Sequence, residues 1–249
     1  MLQRSVFRGA VVGLTIRGMF RFRPVLALLA ALVAVTSCTS SPDKKAESTG
    51  SLPDAGTLLT DSATAMRDIK TAKFLITADG AISGLSLRRA EGTLTKEGDA
   101  EGTAQIEQAG TNVDLTFVIV GDKIYIKGPT GGYQALPLSL AASVYDPSAI
   151  LDPEKGIAKV LSTATDAKTE AAEAVDGVDA WRVAITANGA DLATIIPGVT
   201  GNTPGKVWLG RQDKRLHKAV FTLPAEGGAT GTVTVTFKEF DAPADIKAP

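Results

Sequence analysis

From Thr71 to its end the chain repeats one device: short runs in which apolar and polar side chains alternate, each closed by Gly, Asn or Asp. In Val113-Asp114-Leu115-Thr116-Phe117-Val118-Ile119 the odd positions are apolar and two of the three even ones are polar. A period of two puts one face of a strand on a core and the other toward water. Gly121-Asp122 then turns the chain into Lys123-Ile124-Tyr125-Ile126, a hairpin signal. The alternation predicts strands at 72–79, 85–95, 100–108, 112–120 and 123–127, an antiparallel meander. It predicts further strands at 167–175 and 180–187 around Asp176-Gly177, and at 205–210, 215–223 and 229–240.

Between and before these runs the period lengthens. Leu58, Leu59, Ala63, Ala65, Met66 and Ile69 give an apolar face at helical spacing after Pro53, with Asp54 at the cap. Asp146-Pro147 and Asp152-Pro153 each set a carboxylate before a proline, the order expected at a helix start. Ile150 and Leu151 follow the first pair; Ile157, Val160 and Leu161 follow the second. Leu192, Ile195 and Ile196 form a short apolar helix stopped by Pro197-Gly198. The sum is an α+β chain whose helices lie on one face of a curved antiparallel sheet.

The first 37 residues follow a different logic. They hold five arginines and no Asp or Glu, then eleven apolar residues from Val25 to Val35. A basic stretch, a short apolar stretch and small residues are the layout of a secretory signal. The apolar stretch is far below the ~20 residues of a membrane-spanning helix. Val35-Thr36-Ser37-Cys38 fits the bacterial lipobox, in which the Cys38 thiol takes a diacylglyceryl group and becomes the first residue. Cys38 is the only cysteine, so it has no disulfide partner within the chain. Met19-Phe20-Arg21-Phe22-Arg23-Pro24 would serve as a complete basic region, which makes Met19 a second candidate start. The expected organisation is a signal at 1–37, an acylated cysteine and polar tether at 38–52, and one folded body at 53–249. The expected location is the extracytoplasmic face of a cell membrane. The fourteen residues 39–52 span roughly 20 Å as a coil and at most about 50 Å extended.

Without the five signal arginines the chain carries 21 Lys and Arg against 27 Asp and Glu, a net charge of −6. An acidic chain with no basic cluster argues against a surface for nucleic acid and against electrostatic docking on anionic lipid. Ten aromatic residues in the same stretch give few of the ring platforms that sugar sites use. The search for catalytic groups is nearly empty. His217 is the sole histidine, beside Arg215 and Lys218, and reads as a surface or strand-edge residue. Zinc sites built on several His or Cys ligands are excluded. No Gly-x-Ser-x-Gly elbow occurs. Gly201-Asn202-Thr203-Pro204-Gly205-Lys206-Val207 has Val207 where a phosphate loop needs a hydroxyl, so it reads as a loop entering a strand. Asp176 and Asp179 flank a turn and read as solvated. No cofactor is implied, and binding rather than catalysis is the expected mode of action. A curved sheet under helices can leave an apolar cavity. On the residues alone, a filled core is the simpler reading.

Several stretches shift that balance. Leu52-Pro53-Asp54-Ala55, Ile82-Ser83-Gly84-Leu85-Ser86-Leu87, Val207-Trp208-Leu209 and above all the block from Val144 to Leu161 resemble the LppX/LprA/LprF/LprG family of mycobacterial lipoproteins, closest in look to the LprG and LprA branches. The similarity runs from about 52 to 247. The resemblance implies a half-barrel of antiparallel strands with helices on its concave face enclosing an apolar cavity. It implies binding of multi-acylated lipids or glycolipids, of the phosphatidylinositol mannoside, lipoarabinomannan or triacylglycerol class, for envelope transport. A major-facilitator exporter is the implied protein partner. Alternation nominates Leu87, Leu94, Ala104, Ile106, Leu115, Phe117, Ile119, Ile124 and Ile126 as lining residues, with Val183, Ile185, Val207, Val220 and Val235 later in the chain. A one-residue slip in register would reverse any of these faces. The competing expectation is a lipoprotein that modulates a membrane sensor or transporter through its surface.

Overall fold

The computed structural model describes residues 51–141 and 147–249; the signal, Cys38 and most of the tether lie outside them, as does Asp146. Helix α1 (Ala55–Arg67) opens the body, with Asp54 as its cap accepting a 2.8 Å hydrogen bond from the Thr57 N–H. Those N–H donors hold the Asp54 carboxyl below its ordinary value. Strands β1 (Thr71–Asp79), β2 (Leu87–Thr95), β3 (Ala100–Gln108), β4 (Thr111–Val120), β5 (Lys123–Lys127) and β6 (Gln134–Pro137) follow as a meander.

A helical passage comes next: α2 (Leu138–Ala141), a 3₁₀ turn at Pro147–Leu151 and α3 (Ile157–Thr163). The sheet resumes with β7 (Thr165–Val175), β8 (Val178–Ala187), helix α4 (Gly189–Ala193), β9 (Thr203–Gly210), β10 (Leu216–Pro224) and β11 (Thr230–Lys238). All eleven strands form one antiparallel sheet in the order β6-β5-β4-β3-β2-β1-β11-β10-β9-β8-β7. The last strand therefore zips against the first in the middle of the sheet, and the free edges belong to strands from mid-chain. The sheet is open.

The expected strands are present, most with bounds shifted by a residue or two. Asp176-Gly177 makes the β7–β8 turn with both residues at positive φ, 49° and 84°, the demand of a two-residue hairpin. Two expectations need correction. Asp152 accepts from the N–H groups of Glu154 and Lys155 and so caps a turn; the following helix starts at Ile157, with Gly156 at its cap. Strand β6 carries no alternation and is absent from the expected set; it is four exposed residues ended by Pro137.

Helices α1, α3 and α4 pack on one face of the sheet, α1 against α3 and α3 against both α4 and β8. Leu58, Leu59 and Met66 of α1 meet Val160 and Leu161 of α3 and Leu192 of α4 in a core continuous with the inward side chains of the strands. Between β2 and β3 the strands approach too closely for side chains. A Cβ on Gly92 would lie 1.9 Å from the Glu101 carbonyl oxygen, and one on Gly102 would lie 2.0 Å from that of Glu91. Gly92 and Gly102 pair directly, so neither strand can carry a side chain at that point without moving the other.

Candidate functional site

Cross-strand pairing turns the inward face into rows of apolar side chains. One row runs Leu115, Ala104, Ala90, Ile76, Val235, Ala219, Val207, Val183 across eight consecutive strands, from β4 to β8. A second runs Ile126, Phe117, Gly102, Gly92, Phe74, Phe237. A third joins Leu136, Ile124, Ile119, Ala100, Leu94 and Ala72. Leu87 pairs with Ile106, and Ile185 with Gly205, on the same side.

All the nominated lining residues except Val220 thus share the inward face. Val220 pairs with Thr234 and Lys206 on the outward face, while Ala219 and Phe221 point in. The cause is a bulge: register shifts between Leu216 and Lys218, so alternation counted from the strand's polar start gives the wrong face. His217 is the residue at that bulge. Instead of lying at the surface it is buried, its Nε2 2.9 Å from Asp213 Oδ2 and its ring edge-on to Phe240 at 5.3 Å.

Cover over the inward face is uneven. Val183, Val207, Ala219 and Phe221 have no exposed surface. Ala104, Ile106, Leu115 and Ile126 are only half-buried, although they belong to the same rows. Between the two regions lies an enclosed apolar slot of about 10 Å³. Its sheet wall is Ile76, Leu87, Val233, Val235 and Phe237; Ile150, Ile157, Ile195 and Ile196 face them from the helical layer, with Leu85 at one end. Sequence reasoning reads the helical residues as apolar but not as lining, because strand alternation is silent about what crosses the sheet. The slot has room for no more than a single water-sized sphere. Ligand pockets hold ~300–1,000 Å³. Apolar walls with nothing between them close up, since a void forfeits contacts on both sides.

The outward face is polar. Glu170 accepts from Arg182 Nε at 2.8 Å and from Lys206 Nζ at 3.0 Å; Glu173 accepts from Arg182 Nη1 and from Trp208 Nε1 at 2.6 Å. The Lys206 hydrogen bond, then that from Arg182, hold the Glu170 carboxyl low, and Glu170 in turn raises the Arg182 guanidinium. Among the described residues no group of three or more His, Asp or Glu is placed to hold a metal ion. Among the same residues no helix is long and apolar enough to cross a membrane.

An open antiparallel sheet with helices over an apolar concave face, and with polar chemistry confined to the outside, defines a binding scaffold. Residues 54–246 match the LppX_LprAFG lipoproteins, and the chain belongs to that family. The lipoarabinomannan carrier protein LprG of Mycolicibacterium smegmatis is 33% identical over 233 residues, covering 90% of this chain and 93% of its own. LprG of Mycobacterium tuberculosis is 26% identical over 231 residues, with 91% and 95% covered. Among solved structures, LprF of Mycobacterium bovis superposes with a TM-score of 0.69 at 23% identity, over 80% of this chain and 98% of that one. LppX of Mycobacterium tuberculosis gives 0.59 at 17%, over 78% and 100%. These two likenesses establish the fold: an α+β half-barrel left open. The family is one of lipoproteins that includes named carriers.

Proposed function

We propose that this chain is an extracytoplasmic lipid carrier, held at a membrane by acylation of Cys38 and loading multi-acylated lipid or glycolipid onto the inward face of its sheet. The observation that carries the reading is the graded row from Val183 to Leu115, apolar throughout yet left half-exposed at one end. The LprG relatives, named as carriers of lipoarabinomannan, favour acylated glycolipid as the cargo class over the alternatives of phosphatidylinositol mannoside and triacylglycerol. In this reading residues 1–37 are removed, 38–52 tether, and 53–249 carry; donor or acceptor is the membrane itself or a major-facilitator exporter.

The energetics need no covalent step. A sixteen-carbon chain in water costs on the order of 12 kcal/mol at ~0.8 kcal/mol per methylene, so unaided desorption of a two- or three-chain lipid is slow. An apolar face in place of water removes most of that barrier. Acyl chains would first lie on Ala104, Ile106, Leu115 and Ile126. They would then wedge the helical layer, Ile150, Ile157 and Ile195, away from Ile76 and Val235 to widen the slot. No sheet pairing has to break for that.

A second reading keeps the slot shut and has the body act through its surface on a membrane sensor or transporter; the narrowness of the slot favours it. Native mass spectrometry of the body, expressed in a mycobacterial host, separates the two. A co-purifying multi-acyl lipid, lost in a folded Ala104→Trp variant, supports the carrier. Bare protein mass after incubation with envelope lipid would leave the surface reading in its place.

A further inference from the structure

Four large apolar residues stand out as exposed among the described residues: Leu52, Tyr133, Leu136 and Leu140. Leu52 lies where the tether joins the body. The other three fall within eight positions, on strand β6 and its two flanks, and β6 is a free edge of the sheet. This clustering has no place in a core: Leu140 is 65% exposed and Leu136 39%. Nor is it an edge defence, because edges are normally blunted with charge and proline; Pro137 does that service and the leucines oppose it.

Charge changes sign at the same place. In a mature chain of net charge −6, residues 123–145 contain Lys123 and Lys127 and no Asp or Glu. Both lysines are exposed on β5, and Lys127 Nζ lies 5.9 Å from the centre of the Tyr133 ring. The nearest acid in sequence is Asp122, in the turn before β5. An exposed aromatic ring, two leucines and two lysines along one rim are the residue types that settle at a membrane–water interface.

The folded body begins at the opposite edge. Pro53, at the end of the tether, gives its carbonyl to the Thr169 hydroxyl of β7 at 2.8 Å. The described body thus begins at one lip of the open sheet, and the apolar rim is the other lip. Leu136 pairs with Ile124, one step from the half-buried Ile126, so the rim runs directly onto the uncovered end of the inward face.

We infer that the β6 rim, Tyr133, Leu136 and Leu140 with Lys123 and Lys127, docks on an anionic lipid bilayer and is the lip over which acyl chains pass. The second part rests on the carrier reading; the docking does not. The test uses the compact unit from Thr49 onward, whose buried core lies wholly between Ala55 and Phe237 and which contains no cysteine. It is held by a histidine tag on nickel-chelating lipid, in vesicles of phosphatidylcholine and phosphatidylglycerol in equal parts. That replaces the Cys38 anchor whether or not Cys38 is acylated. A polarity-sensitive dye is placed at Leu136→Cys, and at Arg89→Cys on the outward face as control.

Docking predicts a blue shift and quenching by nitroxide-labelled lipid at position 136 and neither at 89. Quenching at 136 falls to the control level in the Tyr133→Ser, Leu140→Asp double variant and weakens in vesicles of phosphatidylcholine alone. Equal signals at 136 and 89 would overturn the proposal. So would a signal at 136 that arises only when envelope membrane proteins are added, which would assign the rim to a protein partner. Lipid loading of the double variant, followed separately by extraction, reports on the carrier reading and leaves the docking result as it stands.

Discussion

Along the single row that crosses the sheet, Val183 and Val207 at one end have no exposed surface, whereas Ala104 and Leu115 at the other remain half-exposed. The side chains are apolar throughout the row. What differs is the opposite wall. Helices α1 and α3 pack against β7, β8 and β9, and the apolar side chains Ile150, Ile157, Ile195 and Ile196 reach β11, β1 and β2 at the slot. Burial here is decided by neighbours across the sheet, not by sequence within it. A half-barrel thereby keeps a stable floor and an apolar surface in one continuous layer.

The comparison breaks most sharply under truncation. Phe221→Ala empties a site with no exposed surface and should cost about 3–5 kcal/mol in denaturant unfolding. Next comes the close glycine pair between β2 and β3. Gly102→Val drives a side chain into the Glu91 carbonyl and should cost ~1–3 kcal/mol, read from the unfolding midpoint, because the two strands must part. Leu115→Ala, the counterpart of Phe221→Ala on the uncovered half, should cost about 1 kcal/mol, since its side chain leaves water only partly. Equal losses at 221 and 115 would mean that the uncovered half is closed in solution.

The smallest effect concerns pH. The Lys70 N–H, and then the Arg215 charge, hold the Asp241 carboxyl below its ordinary value of 3.8. Stability from a lowered acid is complete above that ordinary value and is lost as pH falls through the lower folded one. Asp241→Asn should therefore cost less than about 1 kcal/mol at neutral pH, cost the same at mildly alkaline pH, and flatten the acid limb of a stability–pH curve.

The sheet is legible in the sequence because most strands carry apolar residues on one face: Val113, Leu115, Phe117 and Ile119 announce both a strand and its inward face. Strand β6 is not, because Gln134-Ala135-Leu136-Pro137 is exposed throughout and no core imposes a pattern on it. Alternation misplaces Val220 because a bulge resets the count without changing composition. The slot's helical wall is hidden for another reason. Ile150, Ile157, Ile195 and Ile196 are plainly apolar, but which strands they face depends on the passage from the β6 edge to β7, which local spacing does not encode.

The seam between β1 and β11 bears on the order in which such a chain reaches its folded form. Lys73 of β1 pairs with Lys238 of β11, so almost the whole body lies between the partners. A chain emerging N-terminus first can complete β1 to β6 while the seam edge of β1 still has no neighbour. An unpaired strand edge flanked by Phe74 and Ile76 is a template for pairing with another chain until the last strand arrives. The most central contact of the native sheet is thus the last to become possible, and a loss of the final strand would expose the middle of the sheet rather than its margin.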